Sequence, residues 1–359
     1  MPTEPHLERM PLAARRVFRL GAVMALSLAV AYGMGIPLPF IVPIFALILT
    51  APPAPPRGPR ALAGLAVGVI LTMGLGILLV PFLQQYPLTA VLMAAVGIYL
   101  SNYLGLNLGR GPIATLLIMG ITMVSVAGSV SHLLAVTVIH TLVFALVIVV
   151  VCQWLVYPWF PEDGQTTEAA PATEAQAGLP SGTWLALRAT LVVVPAYLLA
   201  LTNPALYLPV IMKSVTLGQQ ASMIDLRGAG RELLGSTFVA GILAILFWFA
   251  LGVSTNLWMF TLWMLLFGLI LSARLYQVTP SRHPPSFWQN VIVTMLILLG
   301  SAVQDTANGK DVYQGFAVRM SLFIGVTVYA WIAIVFLEHL RTRRATPPTP
   351  AGAATGAGA

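Results

Sequence analysis

Two ionisable side chains inside apolar segments are the best candidates for binding a charged solute. Arg319 and His140 each lie a turn or more inside the last long apolar run of one half of the chain. A cation at membrane depth is costly, so it usually faces a cavity or a partner. We predict that both line a path for an anion, with His140 titrating near neutral pH. Arg319 also fits a structural role, in which its side chain reaches the membrane interface or pairs with Asp305 or Asp311.

Two proline-broken segments, 37–64 and 204–235, supply the other candidates. Each contains a short apolar run with prolines, then a polar loop, then Arg-x-x-x-Gly at the start of a long apolar helix. Short interrupted segments at corresponding places in two halves are typical of a transporter's central site. Proline frees backbone carbonyls, which membrane depth tolerates only beside protein or a watery cavity. The predicted path residues from these segments are Pro39, Phe40, Pro43, Arg60, Tyr207, Pro209, Lys213 and Arg231.

Several of these residues also fit purely structural roles. Arg60 and Arg231 open helices at the predicted cytoplasmic face, where they attract organic anions or simply anchor the topology. Tyr207 suits either stacking on an aromatic solute or an interfacial belt. Lys213 has no cationic counterpart in the first half, and it either reaches the cytoplasmic face or marks an asymmetric inner site.

The composition indicates a polytopic all-α membrane protein. The 359 residues are 58% hydrophobic and 8% charged, whereas soluble domains carry about 25% charged residues. About twelve apolar runs are predicted as transmembrane helices, because the backbone must satisfy its own hydrogen bonds in lipid. The predicted runs are 16–34, 36–51, 58–81, 87–108, 111–128, 131–158, 183–202, 204–218, 228–252, 255–274, 286–303 and 312–340.

The polar segments divide the chain into five parts. We predict a cytoplasmic N-terminus over 1–15, a six-helix repeat over 16–158, an acidic cytoplasmic linker over 159–182, a second repeat over 183–340 and a disordered cytoplasmic tail over 341–359. All lysines and arginines except Lys310 and Arg319 then lie inside or at inner helix ends. This positive-inside pattern predicts a multi-pass plasma-membrane protein. It also attributes the net charge of +7 to topology and anionic lipid rather than to nucleic acid.

The two predicted halves share four anchor residues in the same order. Because each half has an even number of helices, both enter the membrane from the same side and the repeat is parallel. The anchors are Arg19, Pro43, Arg60 and His140 in the first half, and Arg188, Pro209, Arg231 and Arg319 in the second.

These motifs resemble those of the fusaric acid resistance and aromatic acid exporter superfamily. The resemblance rests on the proline-aromatic-x-x-Pro run, the Arg-x-x-x-Gly helix starts, and Val318-Arg319 followed by Ile324-Gly325-Val326. It implies an inner-membrane permease for aromatic or other organic acids, working with a periplasmic membrane-fusion adaptor and an outer-membrane channel. The chain differs from the larger members in having a short linker instead of a large cytoplasmic domain. It also has His140 where its second half has Arg319.

No enzyme is predicted, because the sequence contains no P-loop, His-Glu-x-x-His, Cys-x-x-Cys or Gly-x-Ser-x-Gly motif. For the same reason we expect no cofactor and no metal. The leading prediction is an exporter of small organic anions. The alternatives are a passive organic-anion channel on the same scaffold and a membrane scaffold subunit that transports nothing, and an oligomer is compatible with any of them.

Overall fold

The computed structural model describes residues 10–52, 58–107, 111–162, 182–221 and 229–344, and the regular elements in these residues are all α-helices. The prediction of about twelve helices is confirmed, with ends that differ from the predicted ones by a few residues. The helices are α1 (Leu12–Gly33), α2 (Ile41–Thr50), α3 (Pro59–Gln85), α4 (Pro87–Asn107), α5 (Gly111–Val130), α6 (His132–Val156), α7 (Gly182–Thr202), α8 (Pro204–Ala221), α9 (Ala229–Gly252), α10 (Leu257–Leu275), α11 (Pro285–Ala307) and α12 (Val312–Arg344). Most of the predicted linker and tail, and residues 1–9, lie outside the described residues.

Ten of these helices are long and apolar enough to cross a membrane, so the chain is a multi-pass membrane protein. The other two are α2 and α8, the helices of the proline-broken segments. Helix α2 has 10 residues, all buried, and spans about 15 Å, half of a bilayer's hydrocarbon core. Protein rather than lipid therefore surrounds it.

The predicted start of the second helix is wrong, because residues 36–40 form turns before α2 begins at Ile41. Pro37 and Pro39 lack the N–H groups that a helical turn would use, and proline disfavours helical backbone in the preceding residue. Leu38, which precedes Pro39, adopts the left-handed conformation with φ 55°. The hydroxyl of Thr141 on α6 donates a 2.7 Å hydrogen bond to the Pro37 carbonyl and holds this turn.

The helices pack in two groups of three in each half of the chain. In the first half, α1, α2 and α6 contact one another, as do α3, α4 and α5, and α5 packs on α6. In the second half, the groups are α7, α8 and α12, and α9, α10 and α11, with α11 packing on α12. Between the halves, α1 packs on α10, α4 on α7, α2 on α11 and α5 on α8.

Burial separates a central set of helices from a peripheral one. In the most apolar stretches of α5 and α11, 78% of the residues are buried, against 28% in α3, α10 and α12. Every residue from 209 to 218 in α8 is also buried. Helices α2, α5, α8 and α11 therefore form the centre of the molecule, at the contact between its halves, while the apolar side chains of α3, α10 and α12 face outward.

Candidate solute path

A cleft of about 620 Å³ opens at the end of the molecule where α1 ends and α2 begins; we call it the distal cleft. Its wall combines the turn before α2 and the start of α8 with the second halves of α5 and α11 and the first two turns of α6 and α12. It is lined by Pro37, Leu38, Phe40, Met123, Val130, Leu134, Thr137, Asn203, Pro204, Leu208, Pro209, Met212, Ser301, Gln304, Asp305, Asn308, Lys310 and Arg319.

A second cleft of about 410 Å³ opens at the opposite end, where α1 begins and α2 ends; we call it the proximal cleft. Among the described residues that line it, Arg16 is the one charged side chain. The others are Ile48, Ala51, Pro52, Gly111, Thr115, Thr216, Gln219, Leu275, Tyr276, Pro285, Ser286, Gln289 and Val293.

Helices α5, α8 and α11 line both clefts. Helix α2 lines the proximal cleft, and the turn that precedes it lines the distal one. On α5, Thr115 lines the proximal cleft and Met123 the distal one; on α11 the corresponding residues are Val293 and Ser301. Eight residues of helix correspond to about 12 Å. The two clefts thus lie at opposite ends of the interface between the halves, about 12 Å apart along these helices.

A thin layer of buried side chains separates the two clefts. Ile44, Phe45, Met119 and Ile297 occupy the intervening turns of α2, α5 and α11, and none is more than 2% exposed. The predicted path residue Pro43 lies in the same turn of α2 and is buried. An apolar layer about two turns thick separates the clefts in this conformation.

Arg319 lies in the distal cleft and forms a two-pronged ion pair with Asp305. Its Nη2 lies 2.9 Å from Asp305 Oδ1, and its Nη1 bonds Oδ2. The side chains are 15% and 6% exposed, respectively. This is one of the alternatives that the sequence left open. With Lys310 also lining the cleft, two cations and one carboxylate give it a net positive charge.

Lys213 reaches neither membrane face, because its side chain is 0% exposed. Its Nζ donates to Asn290 Oδ1 at 2.7 Å and to Thr294 Oγ1 at 2.6 Å, both on α11. The Asn290 amide in turn donates to Ser236 Oγ on α9 at 2.6 Å. The sequence did not point to Asn290; its only signal was an amide in an apolar run.

The structure brings some of the other predicted path residues to the distal cleft and places the rest elsewhere. Phe40 and Pro209 line the distal cleft, and Pro39 lies half-buried in the adjacent turn. Tyr207 is partly buried and packs against the core.

His140 does not reach either cleft. It is exposed on α6 beside Phe144, because it shares its helix face with outward-pointing Phe144 and Val147.

The two predicted cytoplasmic arginines do not line a cleft within the described part of the chain. Arg231 is exposed in the first turn of α9. Arg60 lies at the start of α3, but its side chain falls outside the described residues. The structure therefore adds no argument for either residue as part of the path.

A cluster of charges at the proximal end ties the chain after α6 to α1. Glu162 contacts Arg16 Nε at 2.7 Å and Arg19 Nη1 at 2.7 Å. Arg19 also lies 5.6 Å over the Tyr157 ring. Burial raises the pKa of Glu162, but the hydrogen bonds and charges of Arg16 and Arg19 outweigh it and leave the pKa below its ordinary value. Sequence reasoning placed this first acidic residue in the predicted linker and missed its part in the fold.

Residues 16–156 match the sequence profile of a family described as a protein of unknown function, DUF2955. The matched stretch covers most of α1 and the helices through α6, including the first-half walls of both clefts. No curated protein matches the chain. No solved structure matches it either.

Proposed function

We propose that the chain is a membrane permease that exports small organic acids, aromatic acids above all, along the interface between its two halves. The observation that carries this proposal is the pair of clefts at opposite ends of the same four helices. Transporters hold their solute at a repeat interface, on helices that are short or broken. Helices α2 and α8 have that character: α8 lines both clefts, while α2 lines the proximal cleft and the turn before it lines the distal one.

The chemistry of the distal cleft favours an amphipathic anion. Pro37, Phe40, Leu208 and Met212 supply apolar wall, and the charged residues leave one net positive charge. A volume of about 620 Å³ lies within the range of small-molecule sites. A ring or alkyl group with a carboxylate matches these two surfaces better than a sugar or a metal ion.

We further propose that the halves are two parallel six-helix repeats. Each helix pair that packs in the first half has its counterpart in the second, six helices later. The contacts between the halves are reciprocal as well, since α1 packs on α10 as α4 packs on α7, and α2 on α11 as α5 on α8. Such reciprocity is expected of two similar units related by an axis along the membrane normal.

The proposed location is the bacterial inner membrane, with both termini in the cytoplasm. Support comes from the positive-inside distribution of lysine and arginine and from the Arg16–Arg19 cluster at the proximal end. The proximal cleft then faces the cytoplasm. A periplasmic adaptor and an outer-membrane channel are proposed as partners on the resemblance to the exporter superfamily alone.

The layer between the clefts favours a carrier over an open pore. Ile44 and Ile297 are fully buried within it, so the described part of the chain leaves no open pore between the clefts in this conformation. A carrier instead exposes its site to one side at a time, while packed helices rock around it.

The test is retention of a panel of aromatic and aliphatic carboxylic acids by cells with and without the protein. We expect depletion of one acid class, lost in Leu208→Trp, which fills the distal cleft, and in Arg319→Ala at unchanged protein level. His140→Ala is the control, because its ring faces away from both clefts. Equal retention of every acid with and without the protein would reject the proposal.

A further inference from the structure

Lys213 is a buried amine with neutral hydrogen-bond partners. The acceptors that its Nζ contacts are the side-chain oxygens of Asn290 and Thr294. The Thr294 hydroxyl donates to the Asn290 backbone carbonyl at 2.7 Å, and the Asn290 amide donates to Ser236. Both side chains therefore present only oxygen lone pairs to the lysine.

This arrangement matches the hydrogen-bonding capacity of a neutral amine. A neutral amine has two N–H groups and one lone pair, whereas an ammonium has three N–H groups. The two oxygens accept two N–H groups, and within the described residues no third acceptor contacts Nζ. An isolated buried charge is also strongly disfavoured. In this conformation the site therefore suits the neutral amine better than the ammonium.

The charged groups on the surrounding helices are engaged elsewhere. Helix α8 packs against α5, α7, α11 and α12, and α5 has no ionisable side chain. On α11, Asp305 pairs with Arg319 of α12, and it lies eleven residues, or about 16 Å, beyond Thr294. The other ionisable side chains that the structure describes on these helices and on α9 are Tyr207 on α8, Arg188 and Tyr197 on α7, Tyr313, Tyr329, Glu338, His339 and Arg341 on α12, and Arg231 and Glu232 on α9.

The contacts that the structure shows for these groups are with residues other than Lys213. Tyr197 bonds Ser125, Tyr329 bonds the Leu191 carbonyl, and Glu232 bonds Ser286. Arg188 interacts electrostatically with Glu338 near the end of α12. The lysine has no counter-ion of its own among the described residues.

Lys213 lies at the level where the two clefts approach each other. On α8, Met212 lines the distal cleft and Thr216 the proximal one. Neighbouring residues on a helix point about 100° apart, so the lysine lies on the face next to the cleft wall. On α11, Asn290 and Thr294 likewise adjoin the wall residues Gln289 and Val293.

We propose that Lys213 is a proton site that couples transport, taking up one proton and one organic anion together. This inference rests on the proposed permease function. When a cleft opens to the layer, a proton from water binds the Nζ lone pair, and the carboxylate becomes the missing counter-ion and third acceptor. On the other side both leave, and the neutral amine returns to Asn290 and Thr294.

A proton site of this kind determines the direction in which the proton moves relative to the anion. Because the anion stabilises the protonated amine, the proton and the anion move the same way, as electroneutral symport. Export then runs down the acid's own gradient, and an acidic exterior slows or reverses it. A proton antiporter driven by the membrane potential is incompatible with this site.

The transport test uses the full chain in vesicles of phosphatidylethanolamine and phosphatidylglycerol, with 4-hydroxybenzoate as probe. A trapped pH dye reports protons, a labelled probe reports the anion, and potassium with valinomycin sets the potential. Protein-free vesicles correct for passive entry of the undissociated acid. We expect one proton per anion and a rate independent of potential, with coupled proton flux lost in Lys213→Met. Anion movement without protons in the wild type would overturn the lysine inference and leave the permease intact.

A second measurement is independent of any solute. A lysine that is neutral when folded takes up a proton on unfolding, so folding becomes more favourable as pH rises from neutral toward about 10. The ratio of the folding equilibrium constant of the wild type to that of Lys213→Met should therefore rise about tenfold for each unit of increase in pH. Lys310→Met, at an exposed lysine, should keep the wild-type slope. Identical slopes in the wild type and Lys213→Met would reject the proton site, even if no probe is transported.

Discussion

At the scale of single residues, the distal and proximal ends each depend on an arginine held by a carboxylate. Arg319 and Asp305 form the distal pair on α12 and α11. Arg19 and Glu162 form the proximal one, which joins α1 to the chain after α6. In each pair both side chains are largely buried, so removing one partner leaves a costly unpaired charge.

The distal pair should therefore show strong coupling. Arg319→Ala should destabilise the folded protein by about 3 kcal/mol, because it strands the Asp305 carboxylate in a buried position. The double variant Arg319→Gln with Asp305→Asn should recover part of that loss. Chemical unfolding in detergent compares the two variants with the wild type. If the double variant is no more stable than Arg319→Ala, the pair is not the reason for the loss.

The same ion pair requires a residue without a side chain at Gly315. A methyl group at this position would overlap the Asp305 carboxylate and crowd Arg319. We expect Gly315→Ala to destabilise the fold through this pair, and to do so far less when Asp305 is already asparagine and Arg319 is glutamine. Unfolding midpoints of the four proteins test the dependence, and equal losses in both backgrounds would contradict it.

The proximal pair predicts a specific pH dependence. The pKa of Glu162 in the folded protein lies below its ordinary value of 4.5. Ionised Glu162 therefore stabilises the fold at pH values above 4.5, and this contribution disappears as the pH falls through the lowered pKa. We expect Glu162→Gln to reduce the unfolding midpoint at neutral pH and to approach the wild type in acid. A constant difference between the two proteins would argue against the charge interaction.

At the scale of elements, the approach of α11 to the turn before α2 shapes the distal cleft. Gly300 on α11 packs directly against Phe40, and a methyl group at that position would overlap the phenyl ring. Both Phe40 and the neighbouring Ser301 line the cleft. A small residue is therefore required where these two elements meet.

Gly300→Ala should displace Phe40 and destabilise the fold by about 1–3 kcal/mol, the usual cost of overpacking. The matched control is Gly68→Ala in the interior of α3, where a methyl group meets open space. The control should be neutral or slightly stabilising, since alanine favours helix more than glycine does. Unfolding in detergent compares the two, and an equal response at both positions would contradict the contact.

The elements also show where sequence reasoning succeeds. Length and hydropathy suffice to predict the helices, because an apolar segment in lipid must form its backbone hydrogen bonds within itself. They do not reveal the turn at residues 36–40, which comes from Pro37 and Pro39 and is held by the distant Thr141 hydroxyl. Nor do they reveal that His140 faces outward, since every face of α6 is apolar and periodicity gives no direction.

Among the residues of the candidate path, some could be predicted from the sequence and others could not. Proline spacing was enough to mark Phe40 and Pro209, which the structure brings to one cleft. The partners of Lys213 could not be predicted, because Asn290 lies 77 residues away in the chain. Glu162 was assigned to a linker because its local sequence is polar, while its role comes from arginines on α1.

At the scale of the whole molecule, two clefts open at opposite ends of the helix bundle. Helices α2, α5, α8 and α11 connect them through a thin buried layer. Arg16 lines the proximal cleft, whereas Lys310 and Arg319 line the distal one. An organic anion would meet a cation at either entrance, with Lys213 beside the layer between them.

The most direct test of this arrangement is the sidedness of single cysteines in the two clefts. In a background where the buried Cys152 is replaced by serine, Gln289→Cys and Gln304→Cys are each labelled with a membrane-impermeant maleimide in right-side-out and inside-out vesicles. The account predicts that Gln289→Cys reacts only from the cytoplasmic side and Gln304→Cys only from the opposite side. Labelling of both positions from the same side would contradict a route that crosses the membrane between the halves.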